Sequence, residues 1–183
     1  KQRAKEEGAE IHWGDETGVR NSNQHGRSYA PKGKTPIKKH MSKRFSINMI
    51  STVTNQGLIQ FMIYKENMNA EVFIRFLNQL IKNQDNKIFL ILDNLRVHHS
   101  KIVKKWEEEH KDNIELYYLP SYSPEKNPDE YLNCDLKYGL SEKTAPKTVE
   151  KLKENLENHM NMLQGNSKRV KSYFRHKDIS YAA

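Results

Sequence analysis

Lys87-Ile-Phe-Leu-Ile-Leu92 is a short, unbroken apolar run, and it ends on a charge, Asp93. A strand with one wet face alternates apolar and polar residues. A strand without alternation is covered on both faces. Helical patterns flank this run. Asn69 caps a segment in which Val72, Phe73, Phe76, Leu77, Leu80 and Ile81 recur at helical spacing, and residues 100–111 read as the next helix. Another strand follows at 114–119. A buried strand between helices requires a layered α/β structure, and in open sheets of that kind functional groups gather at the carboxyl ends of strands.

The first third of the chain has a different pattern. Residues 10–19 read as a strand, and 44–54 and 57–64 as two more, joined by a hairpin at Asn55-Gln-Gly57. Residues 20–35, rich in Asn, Ser, Gly, Pro and Lys, form an extended loop. After the last strand, Asn127 or Asp129 opens a helix through Tyr138, a long charged helix spans 148–163, and a short basic segment closes the chain. Three antiparallel strands followed by helix, strand, helix, strand, helix is the element order of an RNase H-like α/β fold of the retroviral-integrase type, a mixed sheet flanked by helices. The length, 183 residues, suits one domain. It is expected at 10–165, with 1–9 as the end of a linker or preceding helix and 166–183 as a basic C-terminal segment. The chain opens at Lys1 rather than Met and reads as part of something longer.

The net charge of +8 and pI near 9.4 favour a polyanionic partner, nucleic acid before others. Basic residues recur along the chain rather than in one tail, as expected of a charged surface. Cys134 is the only cysteine, so there is no internal disulfide and no cysteine-based zinc site, in agreement with a reducing compartment. No apolar run is long enough to span a bilayer, and no signal-peptide core is visible.

Three carboxylates stand at the ends of these elements. Asp15 lies in the first strand, Asp93 follows the buried strand, and Glu130 sits in the first turn of the helix after Ser123-Pro-Glu-Lys-Asn-Pro128. Pro124 and Pro128 stiffen that approach and aim the helix start. Each acid alone has an ordinary reading as a solvated residue, a turn residue or a complement to a helix dipole. Together they repel unless a cation neutralises them. Oxygen donors without cysteine favour Mg2+ or Mn2+ over zinc. Glu16 and Asp135 are further acids nearby. Cys134 and Trp106 read as buried packing residues, and Tyr173 with Phe174 as either a base-stacking surface or a pair docked in the core.

Four segments carry a family resemblance: Trp13-Gly-Asp-Glu-Thr-Gly18, Gly26-Arg-Ser-Tyr-Ala-Pro-Lys-Gly-Lys-Thr-Pro36, Leu92-Asp-Asn-Leu-Arg-Val-His-His99 and Leu119-Pro-Ser-Tyr-Ser-Pro-Glu-Lys-Asn-Pro-Asp-Glu130. In this order they resemble the catalytic domain of DDE transposases, most of all the bacterial insertion sequence 630 group of the mariner-like superfamily. The resemblance implies a catalytic, metal-binding triad of Asp15, Asp93 and Glu130, with 36 residues between the last two. It ranks Asp129 below Glu130, since related sequences often carry an apolar residue there, and sets Glu125 aside.

It also implies a reaction. Two Mg2+ ions (Mn2+ as substitute), about 3.5–4 Å apart, would serve an in-line displacement, with Asp93 as the shared ligand. Water would free a 3′-hydroxyl at the element end, and that hydroxyl would attack target DNA at a TA dinucleotide. No organic cofactor and no membrane are expected; a homodimer is, with the helix at 148–163 either as its contact or as a cover for the sheet. The location implied is the bacterial cytoplasm, at the nucleoid when bound to DNA. From the residues themselves, DNA contacts are read at Arg27, Lys32, Lys34, Lys38 and Lys39, with a solvated loop as the other reading, at His98, with an ordinary capping turn as the other reading, and at Lys168, Arg169, Lys171 and Arg175. Two alternatives stay open: another metal nuclease of the same fold, or a non-catalytic DNA-binding module.

Overall fold

Among the described residues, five strands, numbered β1 to β5 in chain order, form one mixed sheet in the order β3-β2-β1-β4-β5. The coordinates are a computed structural model that describes residues 1–22, 29–34, 44–82, 84–120 and 123–183. β1 (Glu10–Arg20) pairs antiparallel with β2 (Ser46–Val53), which pairs antiparallel with β3 (Ile59–Tyr64). On its other side β1 runs parallel to β4 (Ile88–Leu92), and β4 parallel to β5 (Ile114–Tyr118). The unbroken apolar run is therefore an inner strand, and its residues Ile88, Leu90 and Leu92 are fully buried.

Helices cover both faces. α2 (Ala70–Lys82) and α3 (Lys101–Glu109) pack on one, where Phe73, Phe76 and Leu77 meet Ile50, Leu90 and Val103. Each such side chain, fully removed from water, contributes about 1.5–3 kcal/mol. Asn69 caps α2 by accepting from the Val72 amide, and Ser100 caps α3 through the Val103 amide. α4 (Pro128–Ser141) and α5 (Val149–Gln164) cover the opposite face, where Leu132, Leu136, Leu156 and Met160 meet Trp13 and Met49. α5 is thus a sheet cover. A short N-terminal helix, α1 (Gln2–Glu7), is clipped to the base of β5 by Arg3, which donates to Glu115 and Tyr117.

The closing segment is more than a basic tail. Ser167–Tyr173 forms α6, capped by Asn166, and it buries Val170, Tyr173 and Phe174 in the same core as Trp13. Phe174 meets the Trp13 ring edge-on at 5.3 Å. Of the two readings of Tyr173 and Phe174, the structure has them docked in the core. At the hairpin Gly57 adopts φ 84°, and a Cβ there would come within 2.5 Å of the Ser167 carbonyl oxygen. Glycine both makes the turn and admits the start of α6.

The outer edge of β3 is closed by side chains. Gln164 donates to the Ile59 carbonyl oxygen at 2.9 Å, and Gln79 to that of Phe61 at 3.0 Å. An unpaired strand edge is a template for another chain, and these two amides occupy two of its acceptors. Trp106 is buried, bonded to Asn78 and stacked on His110, in keeping with packing. Cys134 is exposed on α4, not buried as expected.

Candidate metal centre and catalytic cleft

β1 and β4 are parallel neighbours with Trp13 opposite Ile91. Two residues further along that register, Asp15 comes alongside Asp93, the first residue past β4. Gly14 makes the approach possible: a Cβ there would lie 3.0 Å from both the Leu92 side chain and the Ser51 carbonyl oxygen. The third acid arrives on α4. Asn127 caps this helix, its Oδ1 accepting from the Asp129 amide at 3.1 Å, while its Nδ2 donates to the Gly14 carbonyl oxygen at 3.0 Å. Pro128 occupies the first helical position, where its missing N–H costs nothing.

Asp15, Asp93 and Glu130 all line one cleft of about 390 Å³, walled by Asn94, Leu95, Leu119, Pro120, Ser123, Pro124 and Asn127. Burial, then repulsion from Glu130, Glu16 and Asp93, pushes the Asp15 carboxyl up to about 8. Asn133 donates to its Oδ2 at 3.0 Å. Burial and the nearby Glu16 also raise Asp93, against the pull of His98. Asp129, one residue before Glu130, is wholly buried and accepts a bond from Ser51 Oγ at 2.8 Å. Burial drives its carboxyl well above the usual range, with Asp15 adding to the effect. It is absent from the lining of the cleft.

His98 does not face DNA. Its ring is buried, with Nε2 2.9 Å from Glu16 Oε1 and Nδ1 3.2 Å from the Asp93 carbonyl oxygen. A side chain enclosed in this way has no surface to offer a phosphate. Consecutive strand residues point to opposite faces, so Glu16 turns away from Asp15 toward the α2 side and meets His98 there. Donor atoms of Glu16, Asp93 and His98 lie within 4.8 Å of one another. The adjacency of Glu16 to Asp15 was visible in the sequence, but its partner lies 82 residues away.

The basic residues divide. Lys32, Lys34, Lys168, Lys171 and Arg175 are exposed. Arg169 is engaged instead by Asp135, donating to its two oxygens at 2.8 and 2.9 Å. His159 and Tyr173 donate to the same carboxylate. Asp135 thus ties α4 to α5 and α6, and takes no place in the lining of the cleft. Lys168 follows Ser167 over the β2–β3 hairpin, at the end of the sheet away from Asp93. Arg27, Lys38 and Lys39 lie outside the described residues. No helix among the described residues is long and apolar enough to cross a membrane.

A family model described as DDE superfamily endonuclease matches residues 10–153. A search of curated proteins gives no match. Among solved structures, the Mos1 strand transfer complex aligns with TM-score 0.68 at 20% identity, over 99% of this chain and 57% of that one. The Mos1 mariner paired end complex with Mn gives 0.68 at 19%, over 99% and 58%. The catalytic domain of Mos1 mariner transposase gives 0.59 at 17%, over 99% and 87%. At such identities the likeness shows the fold, which is RNase H-like. The chain spans 57–58% of the length of the Mos1 chains in the first two complexes.

Proposed function

This chain belongs to the DDE superfamily endonuclease family, and on that premise we propose that it is the catalytic domain of a mariner-like transposase. It would cut DNA at the ends of a mobile element and join the freed ends to target DNA. The observation that carries this reading is the meeting of three carboxylates, from β1, from the end of β4 and from the start of α4, in one open cleft. Residues 10–165 would form the catalytic unit, with the basic segment 166–183 packed onto it.

The donor set fits a divalent cation. Asp15, Asp93 and Glu130 offer only oxygen, which suits Mg2+ with Mn2+ as substitute. The raised Asp15 carboxyl reports burial and the repulsion that a cation would relieve. Asp15, Asp93 and Glu130 would hold two such ions. Bound there, they would activate the attacking oxygen and neutralise charge on the leaving one.

The rest is positioning by the protein. Asn133 holds one oxygen of Asp15, and Asn127 fixes the start of the Glu130 helix against Gly14. Acids set on rigid elements need little reorganisation during the reaction. Lys32, Lys34, Lys171 and Arg175 would contact phosphates, so affinity should fall steeply with salt.

One Mos1 structure is a paired-end complex with a left transposon end. The same class of substrate is proposed here, with TA-containing target DNA, a homodimer as the working form, and the bacterial cytoplasm, at the nucleoid, as the place. The test is nicking of supercoiled DNA. Cutting should require Mg2+ or Mn2+, stop with chelator, and vanish in Asp15→Ala, Asp93→Ala and Glu130→Gln. Normal cutting by these variants would contradict the reading.

A further inference from the structure

Asp93 is approached from the α2 side by two side chains that the triad does not include. The Asp93–Leu95 loop folds into a single 3-10 turn, Arg96–His99, which brings the His98 ring back beneath Asp93. There Nδ1 sits 3.2 Å from the Asp93 carbonyl oxygen and 3.5 Å from its Oδ1. The ring packs against Phe73 with centroids 4.4 Å apart, and its other nitrogen lies 2.9 Å from Glu16 Oε1. Glu16 is anchored by β1, the strand that carries Asp15.

Two roles fit a histidine beside an acidic cleft: a metal ligand, or a support for one. The surroundings separate them. A ligand needs a free nitrogen lone pair turned toward the cleft, whereas both nitrogens of His98 face protein oxygens and the side chain is fully enclosed. Turning it toward an ion would break the 2.9 Å bond and leave buried polar atoms unpaired. Carboxylates that bind metals are commonly held in turn by such outer partners.

We propose that His98, braced by Glu16, is a positioning residue that fixes the orientation of Asp93 relative to Asp15. The proposal rests on the metal-dependent reading of the cleft. The chain Glu16–His98–Asp93 couples the two strands that bear the first two acids, so loosening it should weaken ion binding even without DNA.

The test is Mn2+ binding to the DNA-free protein, by titration calorimetry and by loss of the free-ion electron paramagnetic resonance signal. Wild type is compared with Asp93→Asn, His98→Ala, His98→Gln and Glu16→Gln, each checked for folding by circular dichroism. His98→Ala should weaken binding by about 10–100-fold. Glu16→Gln should shift it in the same direction, and His98→Gln should recover part of the loss. Pulsed resonance of the wild-type complex should show no nitrogen coupling. Should His98→Ala fail to fold, Glu16→Gln carries the test. Unchanged affinity in His98→Ala, or in Glu16→Gln where His98→Ala does not fold, overturns the proposal, as does a nitrogen coupling, which would make His98 a ligand. A wild type that binds Mn2+ no better than Asp93→Asn overturns the metal reading itself, and this proposal with it.

Discussion

Asn127 donates its side-chain amide to the carbonyl oxygen of Gly14 at 3.0 Å, joining the first turn of α4 to the residue just before Asp15. The same side chain accepts the Asp129 amide and so caps the helix. One residue therefore sets how far Glu130 stands from Asp15.

Replacing Asn127 with Ala should cost about 2–4 kcal/mol, from the lost cap and the buried carbonyl left unpaired. Asn127→Asp keeps the cap but has no donor for Gly14. It should lose more cleavage than its fall in stability explains. Thermal unfolding and a nicking assay on the same preparations check both.

Ionisation of Asp129 should work against the folded state. Its folded carboxyl titrates well above the usual value, chiefly through burial. Above about pH 4 the unfolded chain releases a proton that the folded chain keeps, so ionisation there favours unfolding. Asp129→Asn removes that drain. The variant should gain stability relative to wild type as pH rises from about 3.5 to 7, measured by urea unfolding at both values.

Asp135 has the opposite sign. Burial works against its charge, but His159, Arg169 and Tyr173 outweigh it and hold the carboxyl at about 2. Its contribution is complete above the unfolded value near 3.9 and is lost as pH falls through about 2. Asp135→Asn should cost about 2–3 kcal/mol at neutral pH, since its amide would face donors. That difference from wild type should shrink between about pH 4 and pH 2. Unfolding curves across this range decide it.

Ion binding should depend on pH through Asp15. With no ion bound its carboxyl holds a proton up to about 8, under burial and its acidic neighbours. An ion must displace that proton, so below this value apparent Mn2+ affinity should fall about tenfold for each pH unit. Titration calorimetry at several pH values, in buffers of different protonation enthalpy, measures the slope and the proton released.

Much of this architecture is legible locally. The run at Ile88–Leu92, the Asn69 cap and the stiff Pro124–Pro128 approach signal their structures through neighbouring residues, and the acids at strand and helix ends follow from them. Long-range partners are not legible. Nothing near His98 announces that Glu16, 82 residues away, will enclose it in the core. Arg169 looked like a phosphate contact because its neighbours are basic, yet Asp135 claims it across 34 residues. α6 was hidden for a related reason. Val170, Tyr173 and Phe174 form a narrow apolar stripe at helical spacing, with Asn166 as its cap, inside a segment whose outward face is lysine and arginine.

Anomalous diffraction from crystals soaked in Mn2+ shows whether Asp15, Asp93 and Glu130 share one cation site. A peak should stand in the cleft within coordination distance of Asp93 and at least one of the other two acids, and be lost in Asp93→Asn. A cleft without density at saturating Mn2+, or a peak held by Glu16 and His98 away from Asp15 and Glu130, would contradict a shared site.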